Sequence, residues 1–193
     1  MSFASVITTL PLRLAAPPDA RSYVLPGVTA AAWMLLSVSA VAAGPPDGVT
    51  LQPPVHPACI SSPFGWRRAI GPHAPAGFHN GIDLPAPPGG EVYAAAGGTV
   101  TAIKRGGIGG LTIVVQHADG RSTLYAHLGT VWGRIADGKR RVVAGEPLGH
   151  VGWTGITYGT HVFFAVFEGG RAVDPEPLLG VPRCDSIAAK KPP

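Results

Sequence analysis

Beyond Ala43, no window of ten residues carries apolar positions at a helical period. The apolar residues come instead in short runs, each cut off by glycine or proline. Glycine frees φ and proline removes a backbone donor, so both interrupt helices. A chain punctuated in this way builds short strands joined by turns. It holds 27 glycines and 21 prolines in 193 residues, about twice the usual share. Charged residues are only 13%, about half the usual value, so a long helix or coiled coil is excluded, as is disorder of the highly charged kind. The reading is a mainly β fold: a single small domain of antiparallel sheet, or of two sheets packed as a sandwich, with long loops.

Val100 to Ile103 reads as a strand bounded by Gly97-Gly98 and Gly106-Gly107. Leu111 to His117 is a second, rich in β-branched residues, and Arg121 to Leu128 returns beside it after an Asp119-Gly120 turn. Val142-Val143 precedes Gly145-Glu146-Pro147. Val162 to Phe167 is a further strand, closed by Gly169-Gly170.

The N-terminal 43 residues differ from the rest. Positions 22–46 carry no charge, Arg13 and Arg21 precede the apolar run, and Ala40-Val41-Ala42 offers a small-residue cleavage site. This pattern reads as an export signal. Counted from Tyr23 to Ala43, the same run is also long enough for a membrane anchor. Either way the expected location is outside the cytoplasm, in the periplasm or cell envelope. The chain thus divides into a signal or anchor (1–43), a Pro/Gly-rich linker (44–58), a domain (59–184) and a frayed tail (185–193). Cys59 and Cys184 sit at the two ends of the domain. In an exported protein they can join in one disulfide, and free thiols are the other reading. The net charge is +4, and no basic stripe interleaves with aromatics, so nucleic acid is not an expected partner.

The chemistry-bearing residues are histidines. His79-Asn-Gly-Ile-Asp83 sets an imidazole and a carboxylate four apart, a spacing that shares a face in an extended strand. Histidine nitrogen and carboxylate oxygen suit zinc, although a surface turn explains the pair equally. His127 lies in Leu124-Tyr-Ala-His-Leu128, where alternation puts it on the face of Tyr125. His161 opens an apolar strand with Phe163 and Ala165 as its face-mates, a position also open to a satisfied core histidine.

Taken in order, these blocks resemble the LytM-type, lysostaphin-like zinc endopeptidases of the bacterial cell wall. Ser62-Pro-Phe-Gly65-Trp-Arg67 is similar to the family's opening motif, and His79-Asn-Gly-Ile-Asp83 to its His-x-Gly-x-Asp. His117-Ala-Asp-Gly120, Thr123-Leu-Tyr-Ala-His-Leu128, Val143-Ala-Gly-Glu-Pro-Leu-Gly149 and Gly159-Thr-His161-Val-Phe163 follow. The resemblance spans roughly 61 to 175. It implies a LytM fold of the duplicated hybrid motif type, with His79 and Asp83 as zinc ligands and His127 and His161 assisting catalysis. The family's third ligand is the second histidine of a His-x-His, and here that position is Phe163, with Ala165 in place of the glutamate that follows.

Phenylalanine has no lone pair, and a catalytic zinc needs three protein ligands besides its water. The expectation is therefore a degenerate domain with little or no catalysis. It would act at peptidoglycan as a wall-binding protein or a regulator of cell-wall hydrolases. The alternative is an active zinc-dependent endopeptidase with an unusual third ligand, in which the metal would activate water for peptide-bond hydrolysis. Zinc is the implied cofactor only if the site functions.

Overall fold

The computed structural model describes residues 49–69 and 76–185. The expected signal or anchor (1–43), His73 and positions 186–193 of the tail lie outside the described residues. No helix among the described residues is long and apolar enough to cross a membrane. The strands are β1 (Gly65–Arg67), β2 (Gly77–His79), β3 (Ile82–Pro85), β4 (Glu91–Tyr93), β5 (Gly98–Lys104), β6 (Leu111–Gln116) and β7 (Ser122–Val131). After the one-turn helix α1 (Gly133–Ala136) come β8 (Arg141–Val142), β9 (Pro147–Val151), β10 (His161–Glu168), β11 (Arg171–Val173) and the short helix α2 (Glu176–Leu179).

The strands pair antiparallel, in keeping with the mainly β expectation. One path runs β11-β10-β7-β6-β5-β8, with β3 added on β10 and β9 joining β7 to β4. The β1–β2 pair forms a separate two-stranded hairpin. The turn after β6 closes through His117 N–H donating to the Arg121 carbonyl at 2.8 Å, and Gly120 takes a φ of 86° that favours glycine.

Alternation decides what is buried. Val162, Phe164 and Val166 of β10 are fully buried and meet Ile82 and Leu84 of β3 and Tyr125 of β7 in one core. The opposite face of β10 carries His161 and Phe163.

The β9 strand falls where the sequence marks no strand. Its glycines are there for close approach. A Cβ on Gly149 would lie 2.2 Å from the Thr130 carbonyl oxygen, and one on Gly152 2.3 Å from Gly129 Cα. Pro147 is tolerated because it opens the strand.

Within the expected linker (44–58), the residues from Val49 onward pack against the domain. Leu51 and Val55 are buried in the core. Gln52 N–H donates to the Ala95 carbonyl, and Tyr93 N–H to that of Pro54, each at 2.8 Å. Prolines end the ladder here, but the apolar residues between them still pack. At the other end, Cys59 and Cys184 are joined in a disulfide with Cα atoms 4.9 Å apart. Beside it, Cys184 N–H donates to Ile60 at 3.0 Å.

A buried polar relay crosses the core. Ala95 N–H donates to the Tyr125 hydroxyl at 2.8 Å. Tyr125 and Thr123 hydroxyls are 2.9 Å apart, and Thr123 reaches His117 Nε2 at 2.9 Å. His117 Nδ1–H donates to the Gly97 carbonyl at 2.9 Å, which fixes the direction of the whole chain. Burial pushes the Tyr125 phenol up to about 12 from its usual 10.0. The unfolded chain therefore loses this proton first, so the stability it supports is complete below pH 10 and is lost as pH rises toward 12. Between those pH values, the urea-unfolding free energy of the native protein should fall by roughly 2–3 kcal/mol more than that of Tyr125→Phe. Parallel slopes for the two proteins would contradict this.

Candidate metal centre

Asp83 is fixed by backbone on both sides. On one side it pairs with Phe163 of β10. On the other, its N–H donates to the Ser62 carbonyl and its own carbonyl accepts from Ser61, both at 3.0 Å. The carboxylate therefore has a set direction before any side chain contacts it. His79 and Asp83 do not share one strand. The first ends β2, the second lies in β3, and the Asn80-Gly81 turn between them brings the rings and oxygens together.

The imidazoles are oriented from behind. His79 Nδ1–H donates to the Pro63 carbonyl at 2.9 Å, which turns Nε2 toward Asp83 Oδ1, 3.3 Å away. His127 Nδ1–H donates to the Thr154 carbonyl at 2.9 Å. His161 Nδ1 meets the Thr157 hydroxyl at 3.2 Å, and its Nε2 lies 3.4 Å from the same Asp83 Oδ1. The His127 and His161 rings stand edge to face with centroids 5.0 Å apart. A carbonyl or hydroxyl behind each ring is the usual way of presenting the far nitrogen.

His127 reaches this cluster through a break in alternation. On a regular strand it would share the core face with Tyr125. In the structure, Tyr125 opposes Ile113 and Leu128 opposes Leu111, so two residues of β7 face one of β6. His127 takes a φ of 62° at this bulge, which swings its ring onto the face of Phe163 and His161. Its N–H donates to Gly109 at 2.9 Å and its carbonyl accepts from Gly152 at 3.1 Å, so the left-handed conformation is held at both ends. Thr154 completes the strap, accepting from Leu111 N–H at 2.8 Å and donating to the Leu128 carbonyl at 2.7 Å.

Burial by itself raises the Asp83 carboxyl. The hydrogen bond from His79 and the positive charges of His161, His79 and Arg67 outweigh it, and the group titrates below its usual range. Arg67 Nη1 lies 3.5 Å from Asp83 Oδ2. Burial lowers His161, with Asp83 opposing and His127 reinforcing the shift.

Phe163 lies directly opposite Asp83 in register. Its ring centroid is 5.3 Å from that of His79 and 6.3 Å from that of His127. The third side chain of the site is thus an aromatic hydrocarbon. Among the described residues, no group of three His, Cys, Asp or Glu is arranged to hold a metal ion. A three-ligand catalytic zinc does not fit this donor set.

Sequence reasoning passed over Arg67, Thr154 and Thr157 as site residues. Arg67 stood within the quoted opening motif, but its contact with Asp83 spans strands. The two threonines act through one loop that no spacing rule identifies. His150 is engaged elsewhere, with Thr130 at 2.8 Å and the Trp132 ring at 5.2 Å.

Comparison with known proteins gives a consistent result. The family model described as Peptidase family M23 matches residues 77–175. The DD-carboxypeptidase/endopeptidase Mpg of Neisseria meningitidis is 38% identical over 128 residues, 66% of this chain and 28% of that protein. The peptidoglycan DD-endopeptidase ShyA of Vibrio cholerae is 29% identical over 132 residues, 68% of this chain and 30% of that protein. The chain therefore spans less than a third of either relative. Among solved structures, a putative peptidase M23 from Pseudomonas aeruginosa superimposes with a TM-score of 0.57 at 31% identity, covering 72% of this chain and 53% of that one. A zinc-containing peptidase from Vibrio cholerae gives 0.56 at 28%, covering 65% and 39%.

Gly81 provides the space beside Phe163. A Cβ there would lie 2.5 Å from the Phe164 carbonyl oxygen and 2.6 Å from Phe163 Cζ. Gly81→Ala should therefore destabilise the domain by about 1–3 kcal/mol, measured by urea unfolding. An unchanged midpoint would show that this packing is looser than the distances state.

Proposed function

This chain belongs to peptidase family M23, and we propose that it acts at peptidoglycan as a wall-binding or hydrolase-regulating domain with little or no catalysis of its own. The observation that carries this reading is Phe163. Its ring stands opposite Asp83 and beside His79 and His127, where hydrolysis needs a third metal donor. The rest of the scaffold is retained. His79, His127 and His161 keep hydrogen-bond partners on Nδ1, and Asp83 keeps its two-sided backbone clamp. The cluster thus stays polar and ordered around Asp83. No lone pair at position 163 completes the water-activating centre.

The wall location is part of the proposal. The Cys59–Cys184 disulfide suits an oxidising compartment such as the periplasm. The uncharged stretch 22–46 supports export, whether it is cleaved or anchors the chain through 23–43. Cell-wall hydrolases are the partners such a domain would regulate.

One observation favours a second reading, an active zinc endopeptidase. His161 Nε2 lies within 3.4 Å of the same Asp83 oxygen that His79 faces, so a small shift would offer a third donor. Metal analysis separates the two readings. The chain purified without a metal-binding tag should hold well under one equivalent of zinc and release no peptide cross-links from peptidoglycan. Phe163→His should raise zinc to about one equivalent, because it supplies the third ligand beside His79 and Asp83. Tightly held, stoichiometric zinc in the native protein, with hydrolysis lost in His161→Ala, would overturn the degenerate reading in favour of the second.

A further inference from the structure

The sheet ends, opposite β11, in a basic edge that the histidine site does not use. Arg134 of α1, Lys139, Arg140 and Arg141 of β8 are all exposed. Asp137 and Glu146 are the acidic residues of the same 134–146 stretch, leaving it cationic. Two clefts open along this edge. One of about 360 Å³ is lined by Trp132, Arg134, Lys139, Val143 and Glu146 among others. The other, of about 610 Å³, includes Thr99, Gln116, His117, Lys139, Val143 and Arg141 in its lining. Lys139, Val143 and Glu146 belong to both, so the clefts adjoin across the Lys139–Glu146 ion pair, whose atoms are 2.5 Å apart. β8 lies four strand spacings from β10, roughly 20 Å across the sheet.

Charge on an edge strand also blocks pairing with a foreign strand. That role accounts for Arg140 and Arg141. It requires neither Arg134 on the helix nor an indole in the cleft wall. We propose that the α1–β8 edge is a second binding surface, and that its occupant is a linear glycan whose substituents carry carboxylates. Carboxylates would pair with the guanidinium groups of Arg134 and Arg141, which bind such groups through two parallel hydrogen bonds. A sugar ring would lie against Trp132, which is half-buried and braced on His150 at 5.2 Å. The first cleft has the size of a small-molecule site, and its continuation into the second suits a polymer. A flat lipid surface would need no clefts. The choice of the cell wall as the source of this glycan rests on the proposed function. The surface itself does not depend on Phe163.

The full chain is tested by co-sedimentation with purified peptidoglycan sacculi, with uncharged chitin and with anionic phospholipid vesicles. The native protein should sediment with sacculi, less so as salt rises, and weakly with chitin or vesicles. The double variant Arg134→Glu/Arg141→Glu should bind sacculi about tenfold more weakly. A control of equal charge change, Lys104→Glu/Arg105→Glu on the exposed end of β5, should bind like the native protein, with thermal midpoints confirming that both variants fold. Equal loss in the control would reduce the effect to net charge and overturn the proposal. So would undiminished binding by Arg134→Glu/Arg141→Glu, or preference for vesicles over sacculi. If native protein binds sacculi and that double variant binds equally well, this edge is excluded while the wall-acting reading stands. If native protein does not bind sacculi at all, both fall.

Discussion

The strand β10 lies between β3 and β7, and its register sets the centre of the site. Phe163 faces Asp83 on one side and Ala126 on the other. Antiparallel hydrogen bonding makes that alignment rigid, because a one-residue slip would turn Val162, Phe164 and Val166 out of the core. The same constraint leaves position 163 no freedom to be anything but a wall of the histidine cluster. Whatever side chain the sequence places there stands beside His79 and opposite Asp83.

The cluster is built with more structure than a solvent-exposed pair of charges would need. Each of the three rings has a partner on Nδ1, and Asp83 is clamped through its own peptide groups. His127 is held in a left-handed conformation, which costs a non-glycine residue of order 1 kcal/mol or more, by bonds to Gly109, Gly152 and Thr154. Strain of this kind persists where the surroundings over-determine it. With Phe163 in place, positive charge reaches Asp83 from Arg67 and the histidines. The organisation of a metal centre is therefore retained around a position that cannot ligate one.

The two ends of the sheet differ in character. Around β10 and β3 the polar groups are buried and converge. Along α1 and β8 they are exposed and spread out, lining open clefts. A rigid antiparallel sheet between them makes the two regions separable, so a change at Phe163 leaves the basic edge intact.

The sequence by itself determined the main strands, the Asp119-Gly120 turn and the residue types of the site. These are local properties: β-branched runs, glycine at positive φ, and motif spacing around His79, Asp83, His127 and His161. It also exposed the missing donor at Phe163, because residue identity needs no coordinates. Only the tertiary structure decided the rest. Gly149 and Gly152, in and beside a strand that the sequence did not mark, serve close backbone contacts with β7. Alternation assigned His127 to the face of Tyr125, and a bulge against β6 reversed it. Bulges and close approaches arise from pairing between segments far apart in the chain, and no local pattern records which segment will be opposite.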